Sequence, residues 1–193
     1  MKNKKRKILY VAVVAICLSI LTGSTLAYFT TTDTAHNVIT SGDIDIEVVQ
    51  QELQGGVLQP IASAQLRMMP STSVSRVVSV TNKAERAWVR MSYSLTVYDG
   101  EEQPLPLSQE ELRKVVLISP DAEQWTLQDG WWYYNHDLKT GESTTPLFES
   151  VTFSGIHMDD VYQGCTVELT VTAQAVQYAH NGIRGQEITG WPE

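Results

Sequence analysis

Two stretches, far apart in the chain, alternate apolar and polar residues, and they decide the fold class. Trp88–Asp99 places Val89, Met91, Tyr93, Leu95 and Val97 on one face and Arg90, Ser92, Ser94 and Thr96 on the other. Cys165–Gln177 repeats the pattern, with Cys165, Val167, Leu169, Val171 and Ala173 inward and Thr166, Glu168, Thr170, Thr172 and Gln174 outward. A period of two belongs to a strand, because a helix would scatter these side chains around its axis. A sheet with one apolar face needs a second layer to cover it.

The remaining segments supply that layer. Asp43–Gln50 alternates, with Ile44, Ile46 and Val48 against Asp43, Asp45 and Glu47. Ser73–Asn82 is rich in β-branched residues, Leu147–Phe153 reads as a strand, and Trp125–Tyr134 reads as a hairpin turning at Asp129-Gly130. Ala64–Met69 is ambiguous, and Gln51–Pro60, with Gly55-Gly56, reads as a loop. Ser108-Gln-Glu-Glu111 is a capping box before Leu112, Val115 and Val116, which predicts one short helix, with Val116–Ile118 straightening into a strand before Pro120. No repeat of solenoid length is present. The expected fold is all-β, an antiparallel two-sheet sandwich with one short helix.

The N-terminal residues read differently. Lys2-Asn-Lys-Lys-Arg-Lys7 is a basic region, and Ile8–Leu21 is an apolar run of about 14 residues, short of the roughly 20 that span a bilayer. Thr25-Leu26-Ala27 puts small residues at −3 and −1, which places signal cleavage between Ala27 and Tyr28. The predicted organisation is a signal peptide over 1–27, an extended arm over 28–42, a sandwich over 43–178 and an irregular tail over 179–193. After cleavage 9 Lys and Arg face 22 Asp and Glu, a net charge of −13. That balance disfavours nucleic acid and anionic lipid as partners and favours solubility outside a cell. With Cys17 in the leader, Cys165 stands alone and no disulfide can form within the mature chain. Its position on an apolar strand face predicts a buried thiol. Cys17 follows Ile16, too large for a lipoprotein box.

Gly23, Ala27, the pair Tyr28-Phe29, Gly42 and the alternating strand after it resemble the signal junction of the TasA and camelysin family. Those are exported bacterial proteins processed by a SipW-type signal peptidase. Trp131-Trp132-Tyr133-Tyr134 followed by Gly141-Glu142-x-Thr144-x-Pro146-Leu147-Phe148 is similar to a subgroup with this signal. The resemblance implies a jelly roll and a SipW-type peptidase as partner. It also implies a place outside the cell, as a subunit or accessory subunit of biofilm matrix fibres that self-associates or joins other matrix subunits. Membrane contact would come only through the uncleaved signal peptide. Tyr28, Phe29, Val38 and Ile39 would then be the apolar side chains of a donor-strand arm entering a neighbouring subunit.

Camelysin is described as a surface metalloprotease, so a zinc site is the second reading. The four histidines, His36, His136, His157 and His180, form no His-Glu-x-x-His, and the one predicted helix has none. His157-Met-Asp159-Asp160 is the nearest grouping of ligand types and reads as a surface loop. No nucleophile elbow or phosphate loop is present. No catalytic residue, metal or cofactor is assigned. A third reading is a monomeric adhesin that stacks sugars on Trp131, Trp132, Tyr133 and Tyr134. Only two of these four can share a strand face, and core packing competes for them.

Overall fold

A computed structural model describes residues 36–40, 44–179, 181 and 188–192. The strands are β1 His36–Thr40, β2 Ile46–Gln54, β3 Val57–Pro60, β4 Gln65–Arg67, β5 Ser73–Asn82, β6 Ala87–Tyr98, β7 Val116–Ile118, β8 Trp125–Gln128, β9 Trp131–Tyr134, β10 Phe148–Phe153 and β11 Thr166–Gln177. One helix, α1 Gln109–Val115, and a 3-10 turn, Asp160–Tyr162, complete the described elements. One sheet, A, runs β1-β11-β6-β9-β8 with β4 also on β11; the other, B, runs β3-β2-β5-β10-β7. The chain is therefore a two-sheet β-sandwich with one short helix.

The two alternating stretches form the centre of sheet A. β6 and β11 pair antiparallel along their whole length, from Thr166 opposite Tyr98 to Gln177 opposite Ala87. Their inward residues Val89, Met91, Leu95, Val97, Val167, Leu169, Val171 and Ala173 are all buried. From sheet B come Ile46, Val48, Val78, Val80, Phe148, Val151 and Phe153, which close one core between the layers. Asp45 and Glu47 stay exposed on the outer face of β2, and Glu47 pairs with Lys83 at 2.7 Å. Asn82, fully buried at the end of β5, donates from Nδ2 to the carbonyls of Glu85 and Leu138 and accepts from Ala84 N. It ties the β5–β6 turn to the segment after β9.

Ser108 caps α1 as its sequence predicts: its Oγ accepts from Glu111 N, and Glu111 reaches back to Ser108 N at 2.9 Å. Serine to alanine at a cap removes one acceptor for orphan helix donors. Ser108→Ala is therefore expected to cost about 1 kcal/mol, measured by urea denaturation.

Two segments differ from the sequence reading. Gln51–Pro60 is a hairpin, with Gln51 opposite Pro60 and Gln54 opposite Val57 around Gly55-Gly56, both at positive φ. Glycines take that backbone without strain, which is why two strands can reverse here. The second difference lies in the N-terminal arm. His36–Thr40 pairs with β11 of its own chain, in parallel, from His36 opposite Val171 to Thr40 opposite Ala175. One parallel pairing thus borders an otherwise antiparallel sheet. β4 occupies the same side of β11 further back, at Thr166–Glu168.

Candidate functional site

The aromatic run Trp131–Tyr134 divides between two environments, as strand geometry requires. Trp132 and Tyr134 pack with the main core, and Tyr134 stacks on Trp125 at 4.9 Å between ring centroids. Trp131 and Tyr133 lie on the outer face of sheet A, where both meet Arg90 of β6. The Arg90 guanidinium carbon sits 4.3 Å from the Trp131 ring centre, 4.5 Å from that of Trp191 and 5.7 Å from that of Tyr133. Its Nη1 donates to Tyr133 Oη at 2.8 Å and its Nε donates to Gln174 Oε1 at 2.8 Å. A cation held on ring faces with its N–H groups satisfied is a stable arrangement, worth more as water is excluded.

This contact lays the C-terminal segment across the sheet. Ile188 is buried with Trp88 and Val176, Trp191 meets Tyr133 edge to face, and Trp191 Nε1 donates to the Ile188 carbonyl at 3.1 Å. Trp88 packs against Tyr178, which also carries the Arg86 guanidinium over its ring at 3.7 Å. The outward face of β6 and β11, which alternation alone reads as wet, is dry at Trp88, Gln174 and Val176 because the tail covers it. The rings of Trp131 and Tyr133 already hold Arg90, so the side that a sugar would stack on is in part occupied.

Arg86 also grips Asp137 through Nε and Nη2, which holds the Asp137 carboxyl below the ordinary aspartate range and raises Arg86. The folded state binds a proton at Asp137 less readily than the unfolded chain does. The contribution is therefore complete above the unfolded pKa and is lost as pH falls through the lower, folded value. Stability is expected to decline below about pH 4, and Asp137→Asn to flatten that decline. Melting temperatures of both proteins across pH 2–6 check it; parallel curves would mean that the pair does not couple to folding.

The other sequence candidates fall as follows. Ala27, Tyr28, Phe29 and His180 lie outside the described residues, whereas Val38 and Ile39 sit in β1 opposite Ala173 and Gln174. In the 157–160 cluster, Asp159 is spent on capping the 3-10 turn, its Oδ1 accepting from Val161 N at 3.1 Å. Among the described residues no three His, Cys, Asp or Glu side chains gather in a way that could hold a metal. Cys165 is buried and free, its Sγ donating to the Val161 carbonyl at 3.4 Å, and burial pushes its thiol pKa up, away from the reactive thiolate. Among the described residues no helix is long and apolar enough to cross a membrane.

Arg90 is the residue that organises this face, whereas alternation by itself gives it only an outward position. An arginine two residues after a tryptophan on one strand face, with a second tryptophan-bearing segment at the C-terminus, was the available signal. No protein-family model, curated protein or solved structure matches this chain.

Proposed function

We propose that the chain is a secreted structural protein, a subunit or accessory subunit of extracellular matrix fibres that joins copies through its mature N-terminal arm. The observation that carries this reading is β1. It is a short strand at the N-terminal end of the domain, on the border of sheet A, paired in parallel with β11. Main-chain hydrogen bonds of that kind form equally well with a strand from another copy, so the same β11 groups can accept the arm of a neighbour. The resemblance at the signal junction points the same way, since cleavage after Ala27 frees the arm.

The test compares the chain starting at Tyr28 with one lacking residues 28–39, by sedimentation velocity and electron microscopy. The longer protein is expected to elongate and the shorter one to remain a folded monomer. Fibres from the truncated chain equal to those of the full one would sink the arm as the donor. The same reading expects purified protein to leave casein intact with or without a chelator. Chelator-sensitive cleavage would replace it with the protease reading.

A further inference from the structure

Residues 188–192 cross the outer face of sheet A without joining it. Their backbone is irregular, and among the described residues no main-chain hydrogen bond ties them to a strand. β1, by contrast, pairs residue by residue with β11. Two side chains hold the segment instead. Ile188 is 7 % exposed against Trp88 and Val176, and the Trp191 ring lies beside the Arg90 guanidinium and edge-on to Tyr133. Between these anchors the chain folds on itself. Gly190 takes a φ of 79°, which glycine adopts without strain, and Trp191 Nε1 donates to the Ile188 carbonyl. The segment is a hook braced by its own hydrogen bond, and that bond does not depend on the sheet.

The seat beneath the hook has the composition of a recognition surface. Tryptophan, tyrosine and arginine carry most of the binding energy in protein contacts, and Trp88, Arg90, Trp131 and Tyr133 all lie on this face. The cover is imperfect, however. Trp88 Nε1 is buried with no acceptor among the described residues, so the closed hook leaves a donor unpaired. A segment fastened by two side chains over a stranded donor opens at lower free energy than a strand of the ladder.

We propose that this seat is a docking site for the 188–192 hook of a second copy, which enters when a copy's own hook leaves, so that two copies hold each other by exchanged C-terminal segments. Nothing in the seat distinguishes the two sources. Arg90 and Tyr133 receive a tryptophan, Trp88 and Val176 receive an isoleucine, and no ladder hydrogen bond fixes which chain supplies them. Exchange gives each copy one filled seat and one placed hook, so it closes as a two-fold pair. Within one copy the tether keeps the hook's effective concentration high, and the closed single chain prevails until copies are concentrated or the hook is displaced. The contact owes nothing to the N-terminal arm and stands or falls apart from the fibre reading.

The experiment uses the mature chain from Tyr28, with a labelled peptide of residues 186–193 as the probe. Two forms leave the seat empty: the chain ending at Ala179, and the full-length chain with Trp191→Ala. Fluorescence anisotropy is expected to show saturable binding of the peptide to both. Binding to the unchanged chain should be weaker by about tenfold or more, because its own hook competes. A peptide carrying Trp191→Ala should not bind. Failure of both empty-seat forms to bind the peptide overturns the proposal, and so does equal binding to the unchanged chain, which would put the peptide elsewhere. Amide hydrogen exchange of the Trp191→Ala chain is expected to keep β6 and β11 protected; their loss would make the segment an integral part of the sandwich and overturn exchange. Capture tests the second copy directly. Immobilised chain ending at Ala179 is expected to retain the full-length Arg90→Met chain, whose own seat is spoiled, but not Arg90→Met with Trp191→Ala. Contacts through the N-terminal arm are the same in both, so equal retention would mean that copies meet elsewhere and would overturn the proposal whether or not fibres form.

Discussion

Trp125→Ala is expected to destabilise the fold by about 3–5 kcal/mol, the range for emptying a large buried aromatic site. Trp125 starts β8, is 1 % exposed, and stacks on Tyr134 with an interplanar angle of 48°. It packs in the core that joins both sheets. β8 is the border strand of sheet A and pairs only with β9 among the described strands, so the indole, beside Trp132 and Tyr134, fastens that hairpin to the core. Phenylalanine at this position should restore most of the loss. The indole N–H is buried and finds no acceptor among the described residues, so Trp125→Phe forfeits volume but no hydrogen bond. Guanidinium denaturation of the three proteins decides it. A phenylalanine variant as unstable as the alanine one would show that the N–H is bonded and the ring's size secondary.

The hairpin that Trp125 opens was legible because its turn chemistry is local. Asp129-Gly130, at φ 50° and 81°, sits where two aromatic-rich runs meet, and Trp131-Tyr134 pairs back on Gln128–Trp125. The same locality made the Ser108 cap and the two alternating strands readable. The hairpin β2–β3 was not, since Val57–Pro60 is exposed at every position and so carries no period. β1 shows none either: His-Asn-Val-Ile-Thr is polar at both ends, and its assignment rests on a partner 135 positions later, at Val171. The tryptophan–arginine face has the same cause. Arg90, Trp131, Gln174 and Trp191 come from four distant segments, and nothing within any one of them records the others. Alternation reports which face points out, not whether another segment covers it.

That distinction matters most for Arg76, a cation that alternation places inside. It lies on β5 in phase with Val78, Val80 and Asn82, and it is 1 % exposed. Its Nη2 donates to the Ser63 carbonyl at 2.9 Å, but Nε and Nη1 have no partner among the described residues. Burial lowers its pKa, and the charge of Glu52 opposes that only in part, without an ion pair. Among the described residues, burial of this guanidinium is offset by one protein hydrogen bond. Replacing buried charge with an apolar side chain of similar length is commonly neutral to stabilising by about 1–4 kcal/mol. Methionine follows the same path and bends to fill the space. Arg76→Met is therefore expected to raise the melting temperature, whereas Arg76→Ala should lower it by leaving a cavity and a freed Ser63 carbonyl. Calorimetry of the two variants separates the effects of charge and volume. If methionine destabilises as much as alanine, the guanidinium holds more partners than the Ser63 carbonyl alone, and the charge is a structural asset of the sandwich.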